Sequence, residues 1–190
     1  MRSSASTWTG NRTSSASTKR HLPDKPHSPP KRGCSSLPSG FGVAVYSGQV
    51  GACFWTCVIG AFSDEEAEAF AEGIRRLGEL TRSQDVVVLD ICHDIPLPKP
   101  MHRKLLADAV AAIPDTSHVV GHALVSNSTV AQGVMTAINW FVKPAFPEKV
   151  FRDPRSGLAW LSAQLPSVNP RRVLDAIVQD VPDFERLRWK

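Results

Sequence analysis

The sequence predicts an α/β fold: a single layered domain with a mainly parallel sheet, an N-terminal β-hairpin, crossover helices and a C-terminal helix. Three observations carry this reading. Five short apolar runs read as strands, helical patterns with their own start signals separate most of them, and only the first two runs are joined by a turn too short for a crossover. A chain of 190 residues holds one such domain with a sizeable core and little more.

The first run is Val43-Ala44-Val45-Tyr46, followed by a Ser47-Gly48-Gln49 turn and an almost wholly apolar second strand over 52–59. Ser63-Asp64-Glu65-Glu66 is a capping box with acids in the first turn, so a helix runs over about 64–80. Its apolar positions Ala67, Phe70, Ala71, Ile74 and Leu77 recur at three and four, a stripe that packs on a sheet. The run Val86-Val87-Val88-Leu89-Asp90 is a buried strand that ends in a proline-rich loop. A second helix follows over about 100–113, with Met101, Leu105, Ala109 and Ile113 inward.

Residues 119–125 read as the next strand, and Ser126-Asn127-Ser128 caps a helix to about residue 142, where Pro144 and Pro147 stop it. A short strand over 149–152 leads to Asp153-Pro154, a cap followed by proline at the first helical position, and then to Leu158-Ala159-Trp160-Leu161. Asn169-Pro170 repeats that signal for a last helix to about Val181. Val173, Leu174, Ile177 and Val178 on one side of it need cover. Pro166 allows docking on its own sheet, which is expected, or self-association as a homo-oligomer.

The formal net charge of +4 divides unevenly. Seven Lys or Arg in the first 40 residues face Asp24 alone, so the rest of the chain carries about −2. The domain therefore lacks the basic face of a nucleic-acid binder. Residues 1–39 are dominated by Ser, Thr, Pro, Lys and Arg and are expected to be a disordered tail, since they have too little apolar surface to offset chain entropy. They are Arg-rich and acid-poor like an organellar transit peptide, but Pro23, Pro26, Pro29 and Pro30 argue against the amphipathic helix it needs. No apolar run reaches the roughly 18 residues of a transmembrane helix, and a cytoplasmic protein is expected. Residues 40–165 form the predicted domain and 166–190 a C-terminal helical extension.

Cys34, Cys53, Cys57 and Cys92 lack the paired spacing of a zinc site and read as reduced core thiols of a reducing compartment. His118 and His122 share a strand face and read as core or edge histidines rather than metal ligands. No stretch matches a Walker loop or a dinucleotide fingerprint, so no cofactor is expected.

The element order, together with Glu148-Lys149-Val150-Phe151-Arg152-Asp153 leading to Leu158-Ala159-Trp160-Leu161, resembles the carboxyl half of STAS-like domains. That superfamily comprises sulfate-transporter and anti-sigma-factor-antagonist domains, and the resemblance, over about residues 42–164, is to its stand-alone bacterial branch. It implies a non-catalytic module that binds a partner protein, often switched by phosphorylation of a Ser or Thr at the helix start after the central Asp-ending strand. Asp90 matches the end of that strand, and 98–103 matches the switch region. This chain departs from the pattern, because neither Ser nor Thr occurs between Asp90 and Ala107. No phosphate switch is expected there.

Ligands of open α/β sheets meet the carboxyl ends of the strands. The expected partner-binding residues are accordingly Asp90, His93, Asp94, Lys99, His102 and Arg103. Lys99, His102 and Arg103 make the helix start cationic, and its free amides add to this, so the expected partner carries an acidic segment. Two alternatives use the same stretch of chain or its neighbours. A Cys/His-dependent hydrolase or transferase would need Cys92 activated by His93 or His102, or one of these near Ser128. A small-molecule or lipid binder of related fold would need a cavity lined by Cys53, Trp55, Cys57, Val134 and Trp140.

Overall fold

Two residues, Gly51 and Ala52, join strand β1 (Ala44–Val50) to β2 (Cys53–Ile59) in an antiparallel hairpin that runs in register from Ala44 opposite Ile59 to Val50 opposite Cys53. Gly51 takes φ 58°, the positive value that primed hairpin turns require at the first loop position. The expected Ser47-Gly48-Gln49 turn lies inside β1. Gly48 is glycine for another reason: it pairs with Trp55, and a Cβ there would stand 2.5 Å from Trp55 Cζ2. The buried indole occupies the space that a Cβ would take. Gly48→Ala is therefore expected to displace Trp55 and cost about 1–3 kcal/mol, read as a lower urea midpoint at unchanged slope. An unchanged midpoint would remove this explanation of the glycine.

The computed structural model describes residues 44–61, 63–128, 133 and 146–189. The sheet continues with β3 (Val86–His93), β4 (Val119–Ser126) and β5 (Glu148–Phe151), all parallel to β2, and its spatial order β1-β2-β3-β4-β5 repeats the chain order. The expected α/β fold with a hairpin at its start and a mainly parallel sheet is present. β3 runs three residues beyond Asp90, because Ile91, Cys92 and His93 pair with Cys57, Val58 and Ile59. Asp94, at φ 51°, ends the strand.

Helix α1 (Asp64–Leu80) starts at the expected capping box: Ser63 Oγ accepts from Glu66 N at 3.2 Å, and Glu66 Oε2 accepts from Ser63 N at 2.8 Å. Helix α2 (Pro100–Ala111) packs on α1 through Leu106 and Ala109 against Ala71 and Ile74. Met101, expected inward, is 60% exposed, and His102 is buried in its place. Ala109, Leu105 and Ile113 pack as expected, and only the first position differs, where His102 bonds back to α1 as described below. On one face of the sheet, Leu77 of α1 packs with Phe54 and Val88, and Phe70 of α1 with Val58 and Leu124.

On the other face lie α3 (Pro154–Gln164) and α4 (Pro170–Asp180), started by Asp153 and Asn169 with proline at the first helical positions, as the sequence predicts. Asp153 Oδ1 accepts from Ser156 N at 2.9 Å, and Asn169 Oδ1 from Arg172 N at 3.1 Å. α4 packs on α3 and β1. Its Val173 and Ile177 join Trp55, Leu89, Val125 and Leu158 in the largest apolar core, so residues 166–184 build the same interior as the sheet. Most of the predicted helix to about residue 142, with Val134, Trp140 and Phe141, and the predicted disordered tail lie outside the described residues.

Candidate functional site

Three loops meet at the carboxyl end of the parallel strands and are tied together by backbone and side-chain bonds. Gly60 N, after β2, donates to His93 O at 3.0 Å. Asp94, after β3, and Asn127, after β4, bond reciprocally: Asp94 N to Asn127 Oδ1 at 3.3 Å, and Asn127 Nδ2 to Asp94 Oδ1 at 3.0 Å. The chain then dips, and Ile95 enters the apolar cluster of Val58, Cys92 and Leu124. Pro98 is also buried, whereas Pro96, Leu97, Lys99 and Pro100 are exposed.

The starts of α1 and α2 are joined through one carboxylate. Asp64 Oδ1 accepts from His102 Nε2 at 2.8 Å and from Lys99 Nζ at 3.0 Å. The His102 hydrogen bond, then the Lys99 bond and charge, hold the Asp64 carboxyl below its ordinary range. An acid in the first turn of α1 also complements that helix's own N-terminus, so one side chain serves two helix starts.

The six expected partner-binding residues fall into two groups. Asp94 and Lys99 are exposed and Arg103 is half-buried. His93 and His102 are enclosed, at 7% and 2% exposure. His93 faces the chain's own last segment: its Nε2 donates to Arg188 O at 3.2 Å, its Nδ1 lies 3.3 Å from Asp94 Oδ2, and its ring meets Trp189 edge-on at 5.1 Å. These histidines shape the edge from beneath.

Asp90 belongs to a partly buried chain of hydrogen bonds that crosses four strands. Thr56 Oγ1, opposite Asp90 in the ladder, donates to Asp90 Oδ1 at 2.5 Å. His122 Nε2 bonds Asp90 Oδ2 at 2.9 Å, and His122 Nδ1 bonds Glu148 Oε1, opposite it on β5, at 2.8 Å. Both ring nitrogens face carboxylate oxygens, which only accept, so both carry protons and the ring is an imidazolium. Burial alone would push its pKa down, but the hydrogen bonds and charges of Asp90 and Glu148 prevail and raise it to about 9. The Phe146 ring stands edge-on to it at 6.2 Å.

Sequence reading placed His122 on a strand and Asp90 at a strand end, but missed Thr56 and Glu148. Only the ladder register pairs Thr56 with Asp90 and His122 with Glu148. His118 does not share the site; it lies outside β4 and pairs with Asp85 at 2.8 Å. Among the described residues no cluster of His, Cys, Asp and Glu could hold a metal ion.

The arrangement is poor for nucleophilic chemistry. Burial, with Asp90 and Cys57 near by, pushes the Cys92 thiol well above its ordinary range, and burial lifts Cys53 and Cys57 to about 12. A thiolate nucleophile needs the opposite shift. In the proposed ligand cavity, Cys53, Trp55 and Cys57 are packed into the core of β2, β3, α3 and α4, and Val134 and Trp140 lie outside the described residues. Among the described residues no helix is long and apolar enough to cross a membrane.

No protein-family model matches the chain, and no curated protein matches it. Among solved structures it is similar to an uncharacterized protein of the DUF3478 family with a SpoIIAA-like fold from Shewanella loihica, at 16% identity and a TM-score of 0.45, covering 66% of this chain and 98% of that one. It is also similar to an anti-sigma factor antagonist from Mycobacterium paratuberculosis, at 12% identity and a TM-score of 0.42, with the same coverage.

Proposed function

We propose that this chain is a non-catalytic, regulatory protein-interaction module of STAS type that captures a partner through the loop and helix start after β3. The observation that carries the reading is an exposed apolar pair on a fixed edge: Leu97 is 61% and Met101 60% exposed, flanked by the cations Lys99 and Arg103. Solvent-facing Leu and Met are common singly, but here they stand on a segment anchored by Ile95, Pro98 and His102. Apolar contacts within a cationic rim suit a partner that offers an apolar residue beside an acidic segment.

The test is affinity capture from the cell's own lysate by the full chain, beside a Lys99→Glu, Arg103→Glu double variant, read by quantitative mass spectrometry. A partner held by the parent is expected to fall at least about tenfold with the variant, because like charges now face each other across the contact. The variant's urea midpoint should stay near the parent's, since neither side chain is in the core. Equal capture by both proteins would refute this edge as the binding surface.

A further inference from the structure

The segment Ile95-Pro96-Leu97-Pro98-Lys99-Pro100 is restricted at every position. Pro96, Pro98 and Pro100 have φ fixed near the polyproline II value, and Ile95, Leu97 and Lys99 each precede a proline, which bars the helical region. Lys99 shows the result, with φ −55° and ψ 152°. A polyproline II helix has three residues per turn, so its side chains form three edges. Ile95 and Pro98, three apart, form the edge that is buried in the domain. The other two edges, Pro96 with Lys99 and Leu97 with Pro100, are exposed.

We infer that this ridge is a preformed polyproline II ligand, and that its partner is a folded domain with an aromatic-lined groove and an acidic rim. The inference rests on the proposed binding edge and specifies the partner class. Aromatic grooves recognise proline-rich segments because the extended helix loses little entropy on docking and offers paired apolar ridges. Here the fold has already removed what freedom remained, by burying one edge. Charge selects the rim: Lys99 projects from the ridge and Arg103 stands one helical turn on, so an acidic groove fits and a basic one does not. The Lys99 ion pair with Asp64 is solvated on both sides, so an acidic groove can take Lys99 over.

The test titrates the full 15N-labelled chain with purified SH3, WW and EVH1 domains, the three common groove types, and follows amide shifts. Expected is saturable binding to at least one of them, with shifts centred on 95–101. Leu97→Ala should weaken it about tenfold, as loss of an anchor does, and Lys99→Glu should weaken it while leaving the prolines in place. Both side chains are exposed, so both variants keep the fold. No saturable binding by any of the three at about 1 mM, shifts centred elsewhere, or binding indifferent to both variants would overturn the inference. Concentration-dependent shifts at 95–101 in the chain alone would overturn it too, by making a second copy the occupant. If the groove domains fail but lysate capture still depends on Lys99 and Arg103, the edge stands and only the partner class falls.

Discussion

His122→Ala is expected to cost the domain about 3–5 kcal/mol, the range for removing one member of a desolvated set of paired charges. Asp90 and Glu148 would then face each other without the imidazolium that stands between them. The parent should carry the matching pH signature. The folded pKa of His122, about 9, lies above the ordinary 6.5, so its contribution is fully present below pH 6.5 and is lost as pH rises through about 9. A raise of that size corresponds to about 3 kcal/mol. Urea unfolding at pH 6, 8 and 10 checks both statements. The parent should lose stability across this window by more than the variant does, because the variant lacks the group that titrates. Parallel losses in the two proteins would show that the ring is not held charged between the carboxylates.

Ile177→Ala should lower stability by about 2–5 kcal/mol, whereas Val178→Ala, one residue on, should change it by less than about 0.5 kcal/mol. Ile177 is fully buried among Trp55, Val173 and the sheet, while Val178 is among the exposed apolar side chains. The contrast between neighbours separates docking on the home sheet from a helix that waits for another chain. Chemical denaturation of the two variants decides between them, and equal small effects would mean that α4 does not pack where it is placed here.

What the sequence revealed and what it hid divide along the range of the forces involved. The cap at Ser63 with Glu66, and the Asp153-Pro154 and Asn169-Pro170 starts, satisfy backbone groups within four residues, so each helix announces its own beginning. The apolar run from Val86 to Leu89 is equally local, since a strand buried on both faces has no polar alternation to hide it. Gly48 misled because its cause, the Trp55 indole, sits on the neighbouring strand. Met101 misled because the inward place at the start of α2 is taken by His102, whose partner Asp64 lies 38 residues away. Cys92 and His93 read as loop because the ladder that extends β3 is supplied by β2.

At the proposed binding edge, the cations, the prolines and the absence of a phosphoacceptor were legible, since they are properties of composition. Which of Asp90, His93 and His102 face inward was not, since that is decided by pairing and packing. The Thr56-Asp90-His122-Glu148 chain is the extreme case: its members come from four strands, and no two of them are closer than 26 residues.

Because strand order in space repeats strand order along the chain, a protein emerging residue by residue can add each strand to an edge already built, and none must wedge between two others. The cover is not delivered in that order. β1 and the indole of Trp55 are roofed by α4, whose residues are made more than a hundred positions after them. A nascent chain thus carries a sheet that α3 already covers over β3 and β4, with the apolar β1–β2 end of that face bare until α4 leaves the ribosome. During that interval the protein is most open to chaperones and to aggregation.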